Sequence, residues 1–184
     1  ENELAIIENG YTNNLIHPTI QKIKSGKKIA IIGSGPSGLA AADQLNHRGH
    51  EITLYEKSDR IGGLLMYGIP NMKLDKKIVN RRIDLMKAEG VNFLTNQNID
   101  SKKSAHKIIE KFDAVLLCCG AETPRDLNVK NRQINGVHFA VDFLKSTTKS
   151  ILDNTYENNG YISAKGKKVV IVGGGDTGND CVGT

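Results

Sequence analysis

Lys27-Lys28-Ile29-Ala30-Ile31-Ile32-Gly33-Ser34-Gly35-Pro36-Ser37-Gly38-Leu39-Ala40-Ala41-Ala42 decides the fold. An apolar run enters a glycine turn, and helix-forming residues leave it. Strand, tight turn, helix is the order in which a G-x-G-x-x-G fingerprint holds a dinucleotide. Gly33 lets the chain turn off the strand. Gly35 has no β-carbon, so main chain can approach a diphosphate. Gly38 lets the helix lie close to the strand. The helix start then offers unpaired N–H groups and the positive end of its dipole. One such charge interaction is worth only about 0.3–1 kcal/mol, so the turn needs help to hold a ligand.

Help comes next along the chain. Gly49 stops the helix, with His47 and Arg48 in its last turn, where cations suit the dipole. A second strand runs from Glu51 to Tyr55 and ends on Glu56. An acid about twenty residues past the glycines is placed to grip ribose hydroxyls. It favours a free 2′-hydroxyl and repels a 2′-phosphate, so FAD and NAD fit and NADP fits poorly. A glycine-rich turn without a ligand is the competing reading, and four signals in register stand against it.

Composition narrows the class. The chain has 184 residues, enough for one sizeable α/β core and a piece of another. Hydrophobic residues are 39% and charged residues 24%, as in a soluble globular protein. Net charge is +5, but the basic residues are scattered and no aromatic platform accompanies them, so no nucleic-acid partner is expected. Cys118, Cys119 and Cys181 form no CxxC, which argues for a reducing compartment, cytoplasmic or organellar, and against a dithiol reductase. No run has the length of a membrane helix, so no membrane partner is expected. The chain starts at Glu1, as a processed product or an excised fragment would.

Residues 1–26 read as a polar arm on the first domain, and Pro18 rules out one continuous helix through it. After Glu56, the pair Gly62-Gly63 is more than one dinucleotide turn needs and implies main chain close beside a large ligand. Leu65 to Leu74, containing Gly68-Ile69-Pro70, reads as an ordered loop. It ends with Lys73, a cation for ligand phosphate or flavin oxygens, or else an ordinary surface lysine. A helix is expected from Asp75 to Gly90, its buried stripe being Ile78, Val79, Ile83 and Met86. Residues 91–95 read as a third strand. Ile99 lies where such folds close over an adenine, and is otherwise core. Ser101 caps a short helix carrying Ala105, Ile108, Ile109 and Phe112. Ala114 to Cys118 reads as a strand buried on both faces, which makes Cys118 and Cys119 buried packing residues. Gly120 follows at the strand end, where ligands of open α/β sheets sit. Pro124-Arg125-Asp126 breaks regular structure, a short helix spans Val137 to Leu144, and Ser146 to Lys165 reads as a polar linker with a turn at Asn158-Asn159-Gly160.

The opening theme then returns. Val169-Val170-Ile171-Val172 reads as a strand running into Gly173-Gly174-Gly175-Asp176-Thr177-Gly178, a second G-x-G-x-x-G. The expected fold is α/β: an arm at 1–26, a Rossmann-like FAD-binding domain with a parallel sheet at 27–145, a linker at 146–166, and the start of a second Rossmann-like domain, for NAD(P), at 167–184. So little of a second sheet buries no ordinary core, which makes the chain read as a piece of a longer protein. Two fingerprints imply two dinucleotides. One is a resident FAD on the first fingerprint and Gly62-Gly63; the other is NADH or NADPH. The chemistry is hydride transfer between them, and it needs no catalytic side chain and no metal ligand.

Lys27 to Asp43, Arg60 to Leu74, Val137 to Leu144, Tyr161 to Val170 and Gly173 to Thr184 together resemble the small subunit, or C-terminal region, of NAD(P)H-dependent glutamate synthase. Gly68-Ile69-Pro70-x-x-Lys73-Leu74 is the specific part, shared mainly with that family and the N-terminal part of dihydropyrimidine dehydrogenase. The resemblance implies FAD contacts at Gly33, Ser34, Gly35, Pro36, Ser37 and Gly38, at Glu56, Lys57, Arg60, Gly62, Gly63 and Leu64, and at Lys73, Ile99 and Gly120. It implies NAD(P) contacts at Gly173, Gly174, Gly175, Asp176 and Thr177. It further implies a larger glutamate synthase subunit or domain, with iron–sulfur clusters and FMN, that makes glutamate from glutamine and 2-oxoglutarate. The cluster-ligating cysteines of the family and the segment that returns to cover the flavin are not in this sequence. A different reductase of dihydropyrimidine dehydrogenase or ferredoxin reductase type, and a flavin-binding scaffold without activity, are the alternatives.

Overall fold

Lys28–Ile32 forms β1, at the middle of a parallel sheet, in a computed structural model that describes residues 2–155 and 161–184. Before it, Asn2–Thr12 forms helix α1. After it come α2 (Pro36–His47), β2 (Glu51–Tyr55), the one-turn α3 (Leu64–Tyr67) and α4 (Lys76–Ala88). Then follow β3 (Asn92–Leu94), α5 (Lys102–Lys111), β4 (Ala114–Leu117), α6 (Ala140–Leu152) and α7 (Asp176–Gly183).

The four strands lie in the order β3-β2-β1-β4, and all pairings are parallel. Ile29 pairs with Ile52 on one side and with Ala114 on the other. The chain moves outward from β1 to β3 and then crosses back to place β4 on β1's free side. This is the doubly wound pattern, with the strand order reversing beside β1, where a crevice opens at the carboxyl ends of the strands.

Alternation along the strands feeds two cores. Ile29 and Ile31 of β1 and Ile52 and Leu54 of β2 face α2 and α4, meeting Ala42, Val79, Ile83 and Met86. Ala30 and Tyr55 face the other side, where Ile108 and Phe112 of the α5 region cover them. Ile31, Ile52 and Leu54 are fully buried. Each contributes about 1.5–3 kcal/mol relative to leaving it in water.

Several sequence expectations need correction. β4 is an edge strand, not one buried on both faces, and Leu117 is 78% exposed. Cys118 is therefore only half-buried, and Cys119 is exposed. The segment after Gly63 opens with the helical turn α3 before its irregular part. In α4 the inward stripe is Lys76, Val79, Ile83 and Met86, while Ile78 lies one step round the helix and is exposed. In α5, Ile108 is buried and Ile109 is exposed. The helix expected at 137–144 begins at Ala140 and continues to Leu152. Its polar second half reads as linker, yet Thr147, Thr148 and Ser150 are buried, so packing overrides composition. Val169–Val172 does not pair as a strand, and Val170 and Val172 are exposed, because no strand among the described residues lies beside it. The turn expected at 158–160 lies outside the described residues.

The arm at 1–26 carries α1 and ends on the sheet's far side. Glu8 pairs with Arg81 of α4 at 2.6 Å, and the Arg81 guanidinium also lies 3.7 Å from the centre of the Tyr11 ring. Ser25 N donates to Gly49 O at 3.0 Å.

Lys76 explains how the irregular segment after α3 is held. It is 3% exposed, and its ammonium donates to Leu65 O at 3.0 Å, Ile69 O at 2.5 Å and Leu74 O at 3.1 Å. Burial lowers the Lys76 pKa, and the Asp75 charge opposes that. Three carbonyls thus share one cation and fix the Gly-Ile-Pro segment. Lys76→Met leaves those carbonyls without their donor. It is expected to cost about 3 kcal/mol, read as a lower midpoint in urea unfolding, with Lys76→Arg recovering only part.

Candidate functional site

The glycine turn after β1 sits at the crevice, and its glycines are required for different reasons. Gly33 has φ +104°, and a β-carbon there would lie 2.3 Å from Cys118 O. A β-carbon on Gly38 would lie 2.0 Å from Gly33 O, so the helix is seated directly on the turn. At Gly35 a β-carbon would meet nothing within 4 Å, and φ is an ordinary −65°. The protein's own packing does not require glycine there. No side chain caps α2, whose first turn holds Pro36 and Ser37. Its first N–H groups are left for an anion.

Ser34 ties this turn to the rest of the site. Fully buried, it donates from its main-chain N to Glu56 Oε2 at 3.1 Å and from Oγ to the same oxygen at 2.5 Å. Its Oγ accepts from Gly62 N at 2.9 Å. Glu56 Oε1 accepts from Ser58 N at 2.8 Å. Burial pushes the Glu56 carboxyl up, but the donors on Ser34 and Ser58 outweigh it and hold the group below its ordinary value. Glu56 is an ionised acid at the end of β2 with three lone pairs engaged, leaving about one. The Gly62-Gly63 turn lies against the fingerprint: a β-carbon on Gly63, at φ +55°, would be 2.9 Å from Gly35 Cα. Leu64 follows, exposed, at the start of α3.

The remaining residues divide. Lys57 forms an ion pair with Glu122, joining the end of β2 to the segment after β4. Gly120, at φ +69°, has open space where a β-carbon would be. Ile99 is partly buried against the cluster of Ala30, Tyr55 and Ile108. Arg60 reaches Asp153 at 2.7 Å and the Tyr67 hydroxyl at 2.9 Å. Lys73 pairs with Asp180 of α7 at 2.6 Å.

Sequence reasoning missed the contribution of α6. Lys149 pairs with Asp59 at 2.6 Å and with Asp153 at 2.9 Å. Beside this network lies a cavity of about 320 Å³ lined by Lys57, Ser58, Tyr67, Asn98, Lys145 and Lys149 among others. Asp59 lines it as well, and of its three lysines Lys57 is paired with Glu122 and Lys149 with Asp59 and Asp153. Only the residue order after Glu56 hinted at it, since Lys145 and Lys149 arrive from a helix that reads as linker.

The second glycine turn copies the first. Gly173 has φ +114°, and a β-carbon on Gly178 would lie 2.4 Å from Gly173 O. Gly175 precedes α7 at φ −79°, ψ −175°, against φ −65°, ψ −177° for Gly35 before α2. Nothing lies within 4 Å of a β-carbon at Gly173, Gly174 or Gly175. Asp176 and Thr177 open α7, which no side chain caps. The turn forms although no strand pairs before it, so its shape is local to the glycines.

At the opposite end of the sheet, Asp43, His47 and Glu89 place one ligand-type atom each within 4.8 Å of one another. The sequence reading named no metal ligand. Arg82 already pairs with Asp43 at 2.6 Å, and the two His47 nitrogens face different acids, at 3.6 and 3.5 Å. The Arg82–Asp43 pair joins α4 to α2, with His47 and Glu89 beside it.

Residues 27–184 match the family described as pyridine nucleotide-disulphide oxidoreductase. The chain is 54% identical over 182 residues to the glutamate synthase [NADPH] small chain of Bacillus subtilis, covering 99% of this chain and 37% of that one. It is 53% identical over 184 residues to the glutamate synthase [NADH] of Schizosaccharomyces pombe, covering 99% of this chain and 9% of that one. It therefore spans little more than a third of the first relative. Among solved structures, FprA of Mycobacterium tuberculosis in complex with NADPH matches with a TM-score of 0.57 and 27% identity, over 65% of this chain and 28% of that one.

The network around Asp59 has a pH signature. Burial pushes its carboxyl up, but Lys149, Tyr67 and Arg60 outweigh that and bring it to about 2, from an ordinary 3.8. The folded pKa is depressed, so the stabilisation is complete above the ordinary value and is lost as pH falls toward 2. Urea midpoints measured between pH 5 and 2 are expected to fall more steeply for the wild type than for Asp59→Asn. Parallel slopes would remove Asp59 from this role.

Proposed function

The chain belongs to the pyridine nucleotide-disulphide oxidoreductase family, and from that premise we propose that it is the electron-input part of a glutamate synthase. In this reading FAD lies on the first glycine turn, and NADH or NADPH docks on the second. The observation that carries it is the pair of turns with one geometry, each ending in an uncapped helix and each open where a β-carbon would sit.

The residues present fit a resident FAD. The start of α2 and the open side of Gly35 would take its diphosphate, Glu56 its ribose, and the Gly62-Gly63 turn would run beside it. Lys57 and the recess beside it would supply further polar contacts. When bound, the flavin supplies the chemistry, accepting a hydride from a dihydronicotinamide. The chain's own part is to bind and orient. The main-chain N–H groups at α2 and α7 would each face a diphosphate, and fixed orientation of two ligands is what speeds a transfer between them. No acid or base is required at either turn. Cys118, Cys119 and Cys181 are free thiols, and none stands in a CxxC, so the dithiol chemistry named in the family description has no counterpart here. Electrons would then leave to a larger glutamate synthase subunit or domain carrying iron–sulfur clusters and FMN. There they would support reductive synthesis of glutamate from glutamine and 2-oxoglutarate.

Two outcomes test this reading. The full-length protein is expected to be purified yellow, and NADH or NADPH is expected to bleach the flavin band without oxygen; a colourless protein would refute the assignment. Gly35→Val is expected to keep its secondary structure and unfolding midpoint, because the β-carbon enters open space, while flavin content drops at least tenfold. Gly33→Ala is expected to lower both, since it meets Cys118 O. Flavin content unchanged in Gly35→Val would mean that the first turn does not hold the diphosphate.

A further inference from the structure

Lys73 sits at the end of the irregular segment fixed by Lys76, and its main-chain N donates to Pro70 O at 3.0 Å. Its side chain turns toward α7 and meets Asp180, a buried acid, at 2.6 Å. The next contact along is apolar: a β-carbon on Gly183 would lie 2.2 Å from Met72 Cε, so the glycine lets the segment and the helix close together. α7 also packs on α6. Two adjacent residues, Met72 and Lys73, thus join the first domain to the helix that begins at the second glycine turn.

That helix has a charge problem. Its first turn carries Asp176, at the end where an anionic diphosphate would arrive, and Asp180 lies one turn further on. Two carboxylates there oppose the attraction that a helix N-terminus offers an anion. Lys73 is the cation set against them. Its pKa is raised, first by the close contact with Asp180 and further by the charges of Asp180 and Asp176, against a lowering by burial. Both acids therefore act on this one ammonium.

We propose that Lys73 is a positioning residue of the second glycine turn, holding α7 through Asp180 and offsetting the two acids so that a nicotinamide dinucleotide's diphosphate is accepted. This departs from the expectation that Lys73 faces flavin phosphates or flavin oxygens, and it rests on the two-dinucleotide reading above. Lys73 touches neither ligand in this account. It acts through Asp180, and without it a nearly buried carboxylate would be left unpaired.

The test uses the full-length protein without oxygen and compares wild type, Lys73→Met, Lys73→Arg and the exchanged pair Lys73→Asp with Asp180→Lys. Lys73→Met is expected to keep its flavin content and to weaken binding of NADH or NADPH about tenfold. Lys73→Arg is expected to remain near wild type, and the exchanged pair to recover part of the loss. Reduction by a dihydronicotinamide riboside, which has no diphosphate, is expected to be unchanged in Lys73→Met; a merely structural role would slow both donors alike. Loss of flavin with unchanged nicotinamide affinity would overturn the proposal and return Lys73 to the flavin. Equal effects on the two donors, or no effect on either, would also overturn it. A wild type without bleachable flavin would instead overturn the functional reading on which the proposal stands.

Discussion

The Ser34 side chain is the small interaction on which the site's geometry depends. One hydroxyl donates to Glu56 and accepts from Gly62 N, while the same residue's main-chain N also reaches Glu56. The first glycine turn, the acid at the end of β2 and the second glycine pair are thereby held as one piece. These three hydrogen bonds are buried, where an unmade one is costly. The arrangement keeps Glu56 ionised and leaves the open side of Gly35 facing the crevice.

Much of this was legible in the sequence because it is local. The strand-turn-helix order, the stop at Gly49 and the acid at Glu56 lie within thirty residues, and each residue type has a backbone reason to be there. Gly33 and Gly38 take the separate backbone roles that their spacing implies. The second turn was legible for the same reason and forms without a paired strand before it. What failed to show was set by distant contacts. Lys76 reads as a surface lysine until the carbonyls of Leu65, Ile69 and Leu74 are seen around it. Residues 146–152 read as linker because they are polar, yet Thr147, Thr148 and Ser150 are buried and Lys149 meets Asp59, ninety positions earlier. Leu116 and Leu117 read as fully buried because an apolar run does not reveal whether its strand is central or at an edge.

The same division separates what the two cores do from what the charges do. The apolar residues of β1 and β2 fix the sheet and therefore the place of the first turn. Ion pairs then fix the surrounding segments to it: Arg60 and Lys149 with α6, Lys57 with the segment after β4, and Lys73 with α7. Single exposed pairs are worth little, about 0–1 kcal/mol, whereas Lys73 meets a carboxylate that is nearly buried. A shared network costs less ordering per bond.

The account claims that two separate glycine turns each take one diphosphate. A structure of the full-length protein with flavin and a nicotinamide dinucleotide both bound tests this most directly. One diphosphate is expected beside Gly35 and the start of α2, and the other beside Gly175 and the start of α7. A nicotinamide diphosphate found away from Gly175, or both ligands sharing the first turn, would contradict it.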